Sequence, residues 1–172
     1  MSTCLWQIYN DHQIDIKSGY AKYETFPIRN IPLDHPINLA YEAATIDIWD
    51  YNMMDPYYQK AYGKDSVNYN RDVQAFDIVM DIAKNTVAKD NYMNNYKSPT
   101  DMGISSAGFC ITDDEVVCVA SLWEIRRRKE RYKQVIDREE GDKIWLEKCD
   151  ELEKKCLEYI ASKKYNKDFK ID

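Results

Sequence analysis

Glycine and proline are scarce in this 172-residue chain, five of each, and histidine occurs only twice. Five glycines leave little backbone able to cradle phosphate. Neither a G-x-x-x-x-G-K-[ST] nor a G-x-G-x-x-G string occurs, so nucleotide hydrolysis of the P-loop kind is not expected. With only His12 and His35, each beside an aspartate, a Ser-His or Cys-His dyad has few ways to form. Gly103-Ile104-Ser105-Ser106-Ala107 approaches a nucleophile elbow but lacks its second glycine. No apolar run nears the ~20 residues of a membrane-spanning helix. The opening residues have neither a basic stretch nor a continuous apolar one, so no secretory leader is expected.

Cysteine is present but unhelpful to chemistry. Five dispersed thiols, an odd number without C-x-x-C spacing, point to a reducing compartment and away from disulfides or a zinc ribbon. Cys149 and Cys156 lie about two helical turns apart, roughly 10 Å, too far to bridge within one helix. They read as buried apolar thiols. The expected location is a cytoplasm, that of a host cell included, or a virion. No cofactor and no metal are expected.

Tyrosine and charge are abundant, and unevenly placed. Eleven of the 14 tyrosines lie at or before Tyr96. Residues 1–103 carry 9 Lys+Arg against 14 Asp+Glu, and residues 104–172 carry 15 against 16. The break near Gly103 divides a Tyr-rich N-terminal part, 1–103, from a charged C-terminal part, 104–172. The net charge of −6 weakens any general attraction to nucleic acid.

The pattern predicts an α-rich α+β fold. Cys4-Trp6-Ile8 and Ile14-Ile16 alternate, which predicts short N-terminal strands or an extended arm. Asp34 is placed to cap a helix from His35-Pro36 whose apolar set runs from Ile37 through Met53. Asp55-Pro56 and Gly63 bracket a short helix, and Asn70 opens a second long one with Val73, Phe76, Val79, Met80, Ala83 and Val87 at the 3.6 period. Residues 90–101 are polar and read as a surface connection. For 107–122 the Thr112/Glu115 capping box favours helix, while the valines also allow a β-hairpin.

Leu122, Ile125, Lys129, Tyr132 and Ile136, then Trp145, Cys149, Leu152, Cys156 and Tyr159, follow alternating three- and four-residue steps. With Gly141-Asp142 between them they predict an antiparallel helical hairpin, packed on the N-terminal part or projecting from it to dock.

Four functional readings follow. Tyr57, Tyr58 and Tyr62, with Trp145, Leu152 and Tyr159 on the hairpin, are the expected protein interface, since such rings give contact area at low rotamer cost. This favours a non-enzymatic interaction or assembly protein, a homo-oligomer or part of a larger assembly, such as a phage or virus subunit of a head-to-tail connector ring. A small phage-encoded inhibitor of a host protein is one alternative. A second is nucleic-acid binding through Arg126, Arg127, Arg128, Arg131 and Lys133, whose cations could neutralise phosphates, although acids follow at once. The remaining option is a Mg²⁺-dependent hydrolase that gathers Asp47, Asp50, Asp77 and Asp81 from two helices.

Overall fold

A computed structural model describes residues 2–24, 31–105, 111–138 and 141–166. Among these, six α-helices dominate and four three-residue strands complete an α-rich α+β fold. Helix α1 spans Ser2–Gln13 and strand β1 Lys22–Glu24. Then follow α2 (Pro36–Ala44), β2 (Asn52–Met54), α3 (Pro56–Tyr62), β3 (Val67–Tyr69) and α4 (Asn70–Thr86). Strand β4 is Gly103–Ser105, and the long helices α5 (Asp114–Ile136) and α6 (Ile144–Lys163) end the described chain.

The N-terminal strands expected around Cys4, Trp6 and Ile8 are instead helix α1. Positions i and i+4 share a face in a helix as well as in a strand, so Cys4 and Ile8 could not separate the two. Ile8 alone is buried in α1, and it joins Phe76, Val79, Met80 and Ala83 of α4 in one apolar cluster. Helix α2 also differs from expectation. His35, not Asp34, occupies the cap, its Nδ1 accepting from the Ile37 amide at 3.4 Å. The helix stops at Ala44 instead of running to Met53. Thr45 ties the turn, its hydroxyl 2.8 Å from the carbonyl oxygens of both Tyr41 and Asp50 and sharing its one proton between them, and Trp49 takes a left-handed φ of 59°. The chain is thereby turned into β2, which pairs antiparallel with β3.

Two cores result. One is built by α2, α5 and α6: Leu39, Ala43 and Ile46 pack with Cys118, Leu122, Ile125 and Tyr132, and with Cys149, Leu152, Cys156 and Ile160. Arg126 and Lys129 pair with Glu153, Tyr132 stacks near Trp145, and Cys118 bonds to the Cys156 carbonyl, so α5 and α6 run antiparallel. Helix α2 therefore shares one core with α5 and α6. The second core gathers Ile8, Tyr20, the inner face of α4, Val87, Met93 and Met102.

Residues 90–101 are not a mere surface connection. Met93, Ser98, Pro99 and Thr100 are buried, and Ser98 with Asp101 forms a capping box around a 3-10 turn. Helix α5 begins after Asp113, which accepts from the Val116 amide at 3.1 Å, so residues 114–122 are helix and the hairpin alternative falls there. Residues 106–110, where that alternative began, lie outside the described residues.

Candidate functional site

Strands β1 and β4 pair in parallel, Lys22 with Gly103, Tyr23 with Ile104 and Glu24 with Ser105. Side chains alternate along a strand, so Lys22 and Tyr23 face opposite sides. The Lys22 side is covered: its ammonium meets the Asp72 carboxylate at the start of α4 and lies 5.0 Å from the Tyr69 ring centroid. Beneath that ion pair is a slot lined by Tyr20, Phe76, Val79, Pro99 and Met102. Its space, about 20 Å³, is enough for about one water. On the other side Tyr23 and Ile104 stand in register, 76% and 56% exposed.

Large apolar side chains remain exposed elsewhere in the same lobe. Trp6 and Tyr9 project from α1, Ile14 and Ile16 follow it, Ile78 and Ile82 lie on α4, and Tyr92 borders the loop after α1. The α2/α5/α6 lobe also exposes large apolar side chains: Ile48 and Trp49 in the turn after α2, and Trp123, Ile144 and Leu157.

A buried polar junction fixes α3. Asp55 has no exposure. One of its carboxylate oxygens accepts from the amides of Tyr57 and Tyr58 at 2.9 and 3.0 Å, and the other from the Thr100 hydroxyl at 2.7 Å. Asn68 donates to the Thr100 hydroxyl at 3.1 Å. This places the tyrosines. Tyr57 donates to Asp77 at 2.9 Å with its ring 4.8 Å from Phe76, and Tyr62 donates to Asp101 at 3.0 Å beside the Tyr58 ring. Both hydroxyls are held above the ordinary tyrosine range, Tyr57 chiefly by its hydrogen bond to Asp77 and Tyr62 chiefly by desolvation.

The hairpin residues expected at an interface are occupied within the chain. Leu152 is completely buried, Trp145 is half-buried 5.1 Å from Tyr132, and Tyr159 packs between His35 and Tyr165. Beside Tyr159 a mixed-charge groove of about 240 Å³ is lined by Asp34, Lys155, Glu158 and Ser162. The basic run is laced to acids: Arg126 to Glu153, Arg127 and Arg128 to Glu124, and Lys133 to Glu130. Arg131 lies on the same helix. The hydrogen bond from Arg127 holds the Glu124 carboxyl below its ordinary range.

Asp47, Asp50 and Asp77 are not brought together as a metal site. Asp47 meets Arg128 at 3.3 Å, Asp50 accepts from Tyr41 and pairs with Arg71, and Asp77 holds Tyr57. Asp81 lies a turn beyond Asp77 on α4. Among the described residues no group of three or more His, Cys, Asp or Glu could hold a metal ion. In the helical core burial raises the Cys149 thiol to about 11, while the contact between Cys118 and Cys156 raises Cys156 and lowers Cys118, all three side chains being buried. Among the described residues no helix is long and apolar enough to cross a membrane.

A helix-rich module carrying a short parallel strand pair, one face of which is exposed at Tyr23 and Ile104, is the class these features define. Its relatives are bacterial. Residues 1–156 match the family described as "Domain of unknown function DUF1846, N-terminal", and the chain belongs to that family. It is 49% identical over 137 residues to a UPF0371 protein of Streptococcus pneumoniae (strain JJA), and 50% identical over 137 residues to UPF0371 protein spr0309 of strain ATCC BAA-255 / R6. Each alignment covers 80% of this chain but 26% of the relative, so the chain spans about a quarter of the curated relatives' length.

This kinship corrects the expected function. The phage or virus structural role, the connector ring and the phage-encoded inhibitor do not stand beside bacterial relatives at about half identity. Tyrosine-rich, lysine- and asparagine-rich composition is shared by many coding sources and could not separate a virus from a bacterium. What sequence reasoning missed is the β1/β4 pair. Its two strands are three residues long and far apart in sequence, and neither Lys-Tyr-Glu nor Gly-Ile-Ser carries a local strand signal.

Proposed function

We propose that this chain serves as a scaffolding part of a larger UPF0371-type protein, acting through contacts with further polypeptide instead of housing a catalytic centre by itself. The observation that carries the reading is the uncovered face of the β1/β4 pair, where Tyr23 and Ile104 stand exposed in register. Parallel strands belong to sheets covered on both faces, so solvent on one side is a state to be completed. Exposed Trp6 and Tyr9 on α1 enlarge the apolar surface of the same lobe. The length of the relatives supplies polypeptide enough to cover it. On this reading the α5/α6 hairpin is internal support, with its heptad seam spent against α2.

The test is dye binding with light scattering on the isolated chain. The reading expects strong fluorescence enhancement of an anilinonaphthalene dye together with concentration-dependent association. A monodisperse monomer that leaves the dye dark would contradict it.

A further inference from the structure

We infer that the outer face of α4 seats an amphipathic helix, supplied by the polypeptide that the relatives carry outside the matched 137 residues and bearing a basic side chain opposite Asp81. This rests on the docking reading above and adds a further surface for the contact, the kind of element that makes it and its charge.

Three observations converge. First, α4 is apolar on two sides. Val73, Phe76, Val79, Met80 and Ala83 are buried, whereas Ile78 and Ile82 fall about 200° and 240° round the helix from Phe76. Those two isoleucines are 64% and 43% exposed. A surface helix carries one apolar stripe, and a helix apolar on opposite sides belongs to an interior. Second, Ala75, Ile78, Ile82 and Asn85 step by three, four and three, the spacing by which one helix lies along another. Ala75 is half-buried, and Gln74, Asp81 and Asn85 are exposed beside the isoleucines. Third, charge selects the occupant. Asp81 stands exposed on the flank of this seam with no ion pair among the described residues, and Asp77, one turn before it, accepts from Tyr57. A second copy seated antiparallel, Ile78 against Ile82, would set each flank against its own mate and hold the two Asp81 carboxylates about 3 Å apart along the axis, a repulsive contact. Polypeptide of a different sequence avoids this, and about three quarters of each relative lies outside the alignment.

Thiol labelling read by peptide mass spectrometry tests this on the chain alone, as Ile78→Cys, and on an intact pneumococcal UPF0371 protein with a cysteine at the aligned position. In the chain a maleimide is expected to react as with an exposed thiol, and in the intact relative roughly tenfold or more slowly. Equal, fast labelling in both overturns the inference. Slow labelling in the chain alone overturns it as well, a dimeric mass by light scattering then making the occupant a second copy. A parallel pair built on Tyr23→Cys separates the inference from the reading it rests on. A relative slow at the position aligned with 23 but fast at that aligned with 78 would sink the helix on α4 and leave the docking reading intact, and one fast at both would sink both.

A photo-cross-linker on a cysteine at the position aligned with Asp81 identifies the occupant in the intact relative. The expected product joins it to a segment outside the matched 137 residues that has apolar side chains at three- and four-residue steps and a lysine or arginine beside them. A product within the matched stretch, a segment without that pattern, or no product overturns the inference. In the isolated chain, Ile78→Lys with Ile82→Lys is expected to leave the melting temperature in place, because side chains so exposed add little to its own core. A marked drop would show that they serve the chain's own packing, and would overturn it too.

Discussion

Asp55 shows how a single buried carboxylate can decide a local fold. Its two oxygens serve opposite tasks, one capping α3 and the other holding Thr100 across 45 positions of sequence. Replacing it by alanine removes a cap, worth about 0.5–2 kcal/mol, and takes away the charged acceptor of the Thr100 hydroxyl, a bond worth about 1.5–3 kcal/mol. Asp55→Ala should therefore lose about 2–4 kcal/mol in urea unfolding, and a loss below about 1 kcal/mol would refute this assignment. Gly63, at the other end of α3, has a φ of +63° with open space around its α-carbon. Only backbone strain opposes a side chain there, so Gly63→Ala should cost about 1 kcal/mol, measured the same way. Both residues were legible in the sequence, because Asp-Pro before a short apolar run and a glycine after it are local signals. The role of Thr100 was not, since its partner is distant in sequence.

At the scale of elements, the two long helices α5 and α6 were legible because their apolar spacing persists along their length. The same spacing could not say whether the seam faced a partner or the chain itself. Helix α2 answers it by contributing Leu39, Ala43 and Ile46. Leu152→Ala should consequently cost about 2–5 kcal/mol in chemical denaturation, as for a fully buried leucine. Destabilisation under about 1 kcal/mol would return the seam to a role in docking. Helix α1 and the truncated α2 were misread because short apolar alternation fits both periods, and because the turn at Thr45 to Trp49 depends on side-chain bonds that no pattern announces.

The ion pairs on these helices set a pH response. Glu124 is held low by Arg127, Glu151 by Lys155 and Glu153 by Arg126. A carboxyl whose folded value lies below its ordinary 4.5 contributes stability that is present above that value and lost as pH falls through the lowered one. Glu42 works in the opposite sense. Burial raises it, so its ionised form is the disfavoured one in the fold, and its cost is relieved as pH falls through the raised value. Among the described residues four lowered carboxyls, the fully exposed Asp90 included, against one raised predict a melting temperature that declines from pH 5 toward pH 3, followed by circular dichroism. A flat or rising profile would count against these pairings.

At the scale of the whole molecule, the cores and the exposed surface tell different stories. The α2/α5/α6 core is closed on itself, with its central positions fully buried. The α1/α4 core is closed beneath but carries exposed aromatic and aliphatic side chains above, and it supports a parallel strand pair that no local sequence signal announces. Composition shows the abundance of tyrosine from which an interface was expected. It could not say whether the contact belonged to a virion, a host target or a longer bacterial protein. Kinship with the UPF0371 proteins speaks against the virion and the phage-encoded inhibitor.

The most direct measurement is the mass, by light scattering, of whatever is captured when tagged chain is co-expressed with a pneumococcal UPF0371 polypeptide deleted for its own matching 137 residues. The account predicts a soluble one-to-one complex that forms with the native chain and is lost with Tyr23→Asp. Recovery of the chain alone, as a stable monomer indifferent to the co-expressed polypeptide, would contradict it.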